Sequence, residues 1–270
     1  MKKIPAMVIV LIAGVLAVPA IAGESVRFSY LFRQGSEQAY KISFNQDIDA
    51  GAFTMNRFAD FQVVEKCVAV SDSNSTMEMT FVKVESSRRF GETLQDDKMG
   101  TDLTGKKVRY TVNADGGVDN VTSVGYIEGW SKMTQILTPV IESGYVFLPD
   151  TNIAVGNSWD RKNFTQKVGG GLSSVTSVEF LFKEMKKEKG RECARVTGNR
   201  HSTMAGKLQL GAKSADASGK STGKFEFYFD PATSMIVKLK SKVEATIALT
   251  DDEGQAHEST FSYNIEREIR

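Results

Sequence analysis

Apolar residues in this chain recur mostly at every second position. From Met235 to Leu249, Met235, Val237, Leu239, Val243, Ala245, Ile247 and Leu249 share one face, while Lys238, Lys240, Lys242, Glu244 and Thr246 share the other. That pattern is a strand with one dry and one wet face. Tyr40, Ile42 and Phe44 repeat it, as do Val108, Tyr110 and Val112, then Phe225, Phe227 and Phe229, then Phe261, Tyr263 and Ile265. One-sided strands belong to antiparallel sheet, because parallel strands are usually covered on both faces. The pattern predicts about a dozen strands and a mainly β fold.

One segment changes period. Ile127, Trp130, Met133, Leu137 and Ile141 recur at spacings of three and four, which predicts a helix that Pro139 ends or kinks. After it, "LPDTNIAVGNSWD" reads as a linker and tight turn. The expected organisation is a leader over residues 1–22, an N-terminal β half over 23–125, a helix and linker over 126–157, and a C-terminal β half over 158–270. Two stretches, Asp230 to Ser234 and Asn113 to Gly117, separate alternating strands with turn-forming residues and are expected to be exposed hairpin turns. "VRYTVNADGGVDNV" (108–121) also aligns with "FEFYFDPATSMIVK" (225–238) without a gap, and each follows a cysteine strand, "EKCVAV" or "RECARV". This predicts two diverged repeats. The small, polar stretches 168–174 and 211–224 read as loop tips.

A dozen strands at about 4.8 Å spacing make a sheet on the order of 55–60 Å across, whereas a helix is about 10–12 Å wide. One helix cannot cover such an apolar face. The sheet must curl into a barrel or sandwich, or stay a cupped half-barrel whose concave side shelters something.

The N-terminus carries Lys2 and Lys3, an apolar run from Ala6 to Val18, and the small-residue site Ala20-Ile21-Ala22, the pattern of a secretory signal peptide cleaved after Ala22. Thirteen apolar residues span about 20 Å as a helix, short of a roughly 30 Å hydrocarbon core. A periplasmic or secreted chain with no transmembrane anchor after processing is expected. The sequence has 34 basic and 33 acidic residues. Without the two leader lysines the balance is 32 to 33, which gives no electrostatic case for nucleic acid. Cys67 and Cys193 form an even pair that permits a disulfide in an oxidising compartment without requiring one. Asn74-Ser75-Thr76, Asn120-Val121-Thr122 and Asn163-Phe164-Thr165 match the N-glycosylation acceptor pattern, relevant only in a eukaryotic secretory host.

Catalytic patterns are weak throughout. His201 and His257 have no metal-ligand spacing, "GGG" at 169–171 lacks the lysine of a phosphate loop, and there is no Gly-x-Ser-x-Gly elbow. Asp230 has no second carboxylate or histidine near it in sequence. No catalytic residue, metal site or cofactor is expected.

The leader, the long one-sided strands, the central helix, "LPDTNIAVGNSW", "GRECARV" and "YFDPATSMIVK" together resemble an uncharacterised family of exported bacterial proteins, with an architecture similar to the LolA-like half-barrel of the periplasmic lipoprotein carriers. The resemblance spans most of residues 25–270. It implies a concave apolar cavity plugged by the helix, with lipids or acyl chains as ligands, and carries over no functional residue; the helix periodicity itself makes Trp130, Met133, Leu137 and Ile141 the residues expected to face them. The expected function is binding or carriage of an apolar ligand without catalysis. The alternative is an envelope protein-interaction or structural module with no small-molecule ligand.

Overall fold

The computed structural model describes residues 24–51, 53–168, 172–210, 213–250 and 255–270. The leader over residues 1–22 lies outside the described residues. One antiparallel sheet dominates. Its strands are β2 (Glu37–Asp49), β3 (Thr54–Val70), β4 (Asn74–Phe90), β5 (Thr93–Asp96), β6 (Lys107–Asn113), β7 (Val118–Val124), β9 (Ser158–Val168), β10 (Leu172–Glu188), β11 (Arg191–Leu210), β12 (Lys213–Asp230), β13 (Met235–Thr250) and β14 (Ala256–Ile269). Their spatial order is β7-β6-β4-β3-β2-β14-β13-β12-β11-β10-β9, with β5 beside β4. The C-terminal strand β14 joins the two halves by pairing β2 on one side and β13 on the other. The sheet is curved and not closed into a barrel, because β7 and β9 remain its edges.

Two bodies cover its inner face. Helix α2 (Trp130–Glu142) lies over the N-terminal half, where Leu137, Val140 and Ile141 are buried with Ile42, Phe44, Phe61, Phe81 and Val108; the short α1 (Met99–Leu103) joins the same core. Over the C-terminal half lies a two-stranded ribbon of β1 (Ser25–Phe28) and β8 (Thr151–Ala154). Phe28 and Leu148 there pack on Phe182, Phe227, Phe229 and Ile236. Phe28 meets Phe182 edge-on at 5.4 Å and Trp159 at 4.9 Å. The expected surplus of dry sheet is therefore largely covered by the chain itself. "LPDTNIAVGNSWD" is more than a linker, since four of its residues form β8.

Other expectations need correction. Residues 213–224 are strand, with Ala215, Ala217, Ser221 and Gly223 buried between exposed polar neighbours. The two-period is intact there, but small side chains blunt its hydropathy signal. Pro139 sits inside α2, which continues to Glu142. The expected repeat is not carried into the topology: β4 separates β3 from β6, whereas β11 pairs directly with β12. Both hairpin turns exist but neither is simply exposed. Gly116 is buried, and a Cβ there would come within 2.2 Å of the Val146 carbonyl oxygen. Asp230 is buried as well, for reasons given below.

Both edge strands are irregular at an asparagine. Between the pairs Arg109/Thr122 and Thr111/Asp119, β7 holds two residues against one on β6, and Asn120 has φ 55°. Between Thr176/Phe164 and Val178/Arg161, β9 holds two against one on β10, and Asn163 has φ 52°.

Candidate functional site

The two cores do not fuse completely. Where they meet, the inner faces of β10 and β12–β14 and the last turn of α2 line a partly open cavity of about 160 Å³. Val178, Phe180, Phe225, Leu239, Val243 and Ile265 give it apolar walls; Pro139, Glu142, the 143–147 segment and the 116–118 turn roof it. The roof is pinned. The Tyr30 hydroxyl donates to the Val146 carbonyl at 3.0 Å and accepts from the Val146 N–H at 2.8 Å, and the Leu148 N–H donates to the Asp115 carbonyl at 3.3 Å.

A few polar groups converge on this apolar space. Glu142 faces it from α2, Arg200 from β11, Tyr263 from β14 and Arg161 from β9. Burial pushes the Glu142 carboxyl up; the nearby Arg200 charge opposes that shift and Asp119 adds to it. Burial also raises the Tyr263 hydroxyl, again against the Arg200 charge. Arg200 Nε donates to Ser202 Oγ at 3.3 Å. Arg161 lies 4.5 Å over the Phe164 ring and 5.1 Å over Phe147, and pairs with Asp115 of the β6–β7 turn at 3.0 Å. This pair ties the edge strand β9 to the β6–β7 turn.

The residues expected to face a ligand, Trp130, Met133, Leu137 and Ile141, are not among those lining this cavity. Leu137 and Ile141 are fully buried in the core under α2, Met133 is nearly so, and Trp130 packs partly buried against them. The cavity instead begins at Pro139 and Glu142. Cys67 on β3 and Cys193 on β11 are buried free thiols, both raised by burial, Cys193 to about 11. Cys193 is buried whereas His201 is exposed on the same strand, and His257 is exposed on β14.

Asp230 is 4% exposed, and its carboxylate accepts from Arg191 at 3.0 Å, from the Thr233 hydroxyl at 2.7 Å and from the Ala232 N–H at 2.9 Å. Burial alone would raise this carboxyl, but those hydrogen bonds together hold it below its ordinary value. The segment is a turn, as expected, but its buried Asp230 carboxylate ties it to the partly exposed Arg191 at the start of β11.

Sequence reasoning missed a second polar node altogether. Arg267 on β14 is 2% exposed, forms an ion pair with buried Glu65 of β3, and lies 3.8 Å over the Tyr40 ring. Tyr110 donates its hydroxyl to the same Glu65 carboxylate. A Cβ at Gly144 would meet the Arg267 guanidinium at 2.3 Å, so only glycine lets the segment after α2 pass. Beside this node a pocket of about 260 Å³ is walled by Tyr30, Phe32, Tyr40 and Tyr145. A signal existed: Glu65 follows Phe61 and Val63, Arg200 sits between Gly198 and Ser202, and Arg267 follows Ile265, each placing a charge on the dry face of its strand.

Fold and cavity together define an open, curved antiparallel sheet that wraps its own helix and ribbon and leaves an apolar space between them. No protein-family model and no curated protein matches the chain. Among solved structures, the chain is similar to lipovitellin, in a structure concerned with its lipid–protein interactions, at 9% identity and a TM-score of 0.52, covering 89% of this chain. The chain spans 25% of that lipovitellin chain. A candidate lipoprotein from Parabacteroides distasonis ATCC 8503 (10% identity, 91% and 99% of the two chains) and a DUF1329 family protein from Desulfovibrio piger ATCC 29098 (8%, 87% and 86%) superpose with TM-scores of 0.27 and 0.23. The likeness to lipovitellin concerns the fold; the other two are too distant to carry an argument. The resemblance to half-barrel lipoprotein carriers rests on the sequence features alone.

Proposed function

We propose that this protein binds an apolar chain, a lipid or acyl group, between the curved sheet and the bodies that cover it, and that it acts by binding rather than catalysis. The observation that supports this reading is the partly open, mainly apolar cavity at the junction of the two cores, with a few polar groups among its lining, the usual make-up of a small-molecule site. Its size sets a condition. About 160 Å³ is below the roughly 300–1,000 Å³ of sites that hold whole drug-sized ligands. As it stands it takes a chain end, and a whole lipid requires α2 or the 143–148 segment to move. Such motion is compatible with α2, whose N-cap is Gly129 with no side-chain cap.

Native mass spectrometry and solvent extraction of the purified protein test the reading. A stoichiometric lipid or acyl species is expected; a reproducibly empty protein that also fails to take up added lipid overturns it. The fold suits a carrier in the periplasm or outside the cell, provided the leader over residues 1–22 is used, which N-terminal sequencing of the mature protein checks. Among the described residues no helix is long and apolar enough to cross a membrane. The alternative, an envelope interaction module, draws on Phe53 and Leu94, 50% and 66% exposed near the turns after β2 and β4. Pull-down from envelope extracts with Phe53→Ser and Leu94→Ser variants separates the two.

A further inference from the structure

The cavity has boundaries of different strength. Its floor is hydrogen-bonded sheet, since β10, β11, β12, β13 and β14 pair in that order beneath it. Its roof is held by the bond from the Leu148 N–H to the Asp115 carbonyl and by the two bonds of the Tyr30 hydroxyl to Val146. Where the edge strand β9 meets the β6–β7 turn the closure is different. Among the described residues no backbone hydrogen bond joins these two segments. Side chains alone close this side. Arg161 Nη2 meets Asp115 Oδ2 at 3.0 Å, and the same guanidinium lies over Phe147 and Phe164. Arg161, Phe147, Phe164 and the 116–118 turn all line the cavity. The Arg161 and Asp115 side chains are 32% and 39% exposed, so the pair stands between the cavity lining and water. A chain passing through the floor would break backbone hydrogen bonds, whereas one passing here parts an ion pair that water and salt already weaken.

Resting on the reading that the cavity takes an apolar chain, we propose that the chain enters and leaves between β9 and the β6–β7 turn, and that Arg161 and Asp115 are the latch of this entrance. The guanidinium swings outward into water on its flexible stem, uncovering the Phe147 and Phe164 rings that then guide an apolar chain inward. The latch is shut over the empty and the filled cavity alike, so its parting lies on the path in both directions. Weakening it lowers the barrier to entry and to exit together and leaves the affinity nearly as it was. The turn does not depend on the latch for its shape: Asp115 Oδ1 accepts from the Gly117 N–H at 3.0 Å, a bond that asparagine keeps, and the Leu148 bond uses the Asp115 backbone. Asp115→Asn therefore removes the charge and little else.

The test is stopped-flow fluorescence with decyl dansylamide, a neutral single-chain probe, on the full mature chain freed of bound lipid. Asp115→Asn is expected to raise the association and dissociation rates about two- to fivefold each, the range an exposed ion pair allows, with Kd within about twofold of wild type. Arg161→Gln, which also loses the contacts over Phe147 and Phe164, should raise both rates at least as much. Raising salt from about 0.02 M to about 0.5 M should bring the wild-type rates toward those of Asp115→Asn and leave that variant unmoved. Unchanged rates in both variants overturn the latch and leave the apolar-chain reading standing. A change in Kd carried by one rate alone overturns it too, because the pair would then belong to the wall of the site. Rates raised as much by Glu142→Gln as by Asp115→Asn overturn it and put the entrance at the end of α2. A wild type that binds no probe overturns both readings. Should Asp115→Asn not fold, Arg161→Gln and the wild-type salt series carry the same test.

Discussion

Replacing Arg267 with methionine is the sharpest test of how the sheet is held closed around its contents. The guanidinium has an ion pair to Glu65, a stacking contact at 3.8 Å over Tyr40, and a backbone surface at Gly144 shaped to it. Methionine fills similar space but leaves the Glu65 carboxylate, itself 3% exposed, with only the Tyr110 hydroxyl. Removing one partner of a buried ion pair costs about 3–5 kcal/mol, with a cation–π share of about 0.5–2 kcal/mol inside that range. For a chain of this size about 1 kcal/mol corresponds to 2–4 °C, so the melting temperature should fall by about 6–20 °C. The Glu65→Met/Arg267→Met double variant removes both charges, and the Tyr110 hydroxyl keeps the Tyr145 hydroxyl at 3.4 Å. It should recover most of the loss, because a buried pair exchanged for packed apolar residues is often neutral. Urea denaturation and thermal melts of the three proteins give the cycle. A single variant within about 1 kcal/mol of wild type, or a double variant no more stable than Arg267→Met, refutes the reasoning.

Other consequences are open to direct measurement. Asp230→Asn should lose about 1.5–3 kcal/mol at neutral pH through its bond to Arg191 and its turn hydrogen bonds. Because the Asp230 carboxyl is held below its ordinary 3.8, its contribution is present above that value and lost as pH falls through the folded-state value, so acid melts of wild type and variant should converge. Glu142 carries the opposite sign: its carboxyl is raised above 4.5, so its contribution is full below that value and lost as pH rises, and Glu142→Gln should flatten the decline on the alkaline side in urea titrations. Leu137→Ala, at a fully buried position, should cost about 2–5 kcal/mol, whereas Trp130→Ala, at a partly buried one, should cost less and should loosen lipid retention only if α2 moves to admit the ligand; melts beside retention assays read both.

The sheet was legible because the long strands keep their two-period: Tyr40 to Phe44 and Val108 to Val112 bury the face their spacing names, and Met235 to Leu249 does so from Val237 to Ala245. The helix was legible for the same reason at its own period. What stayed hidden were relations between distant segments. Nothing local in Ser25–Phe28 announces that it pairs with Thr151–Ala154 to cover the second core, and four-residue strands are too short for periodicity to speak. The cavity was not legible because alternation identifies which residues face inward but not where two cores fail to meet. Glu142 lies at the end of α2, and only the approach of β11 and β14 makes it a partly buried acid beside the cavity.

The two edge asparagines explain more than their resemblance to glycosylation sites suggests. A straight edge strand offers a row of unpaired N–H and C=O groups to any other strand, its own opposite edge included. With Asn120 and Asn163 each throwing an extra residue into β7 and β9, neither border presents the even spacing a ladder needs. Neither border therefore offers a regular ladder, and a pair of side chains, Asp115 of the β6–β7 turn and Arg161 of β9, each about a third exposed, ties the turn to the β9 edge. An exchange of partners at so wet a contact is worth about 0–1 kcal/mol. Side-chain motion alone can part so exposed an ion pair, and the irregularity of each border makes it a poor template for a strand of a neighbouring copy.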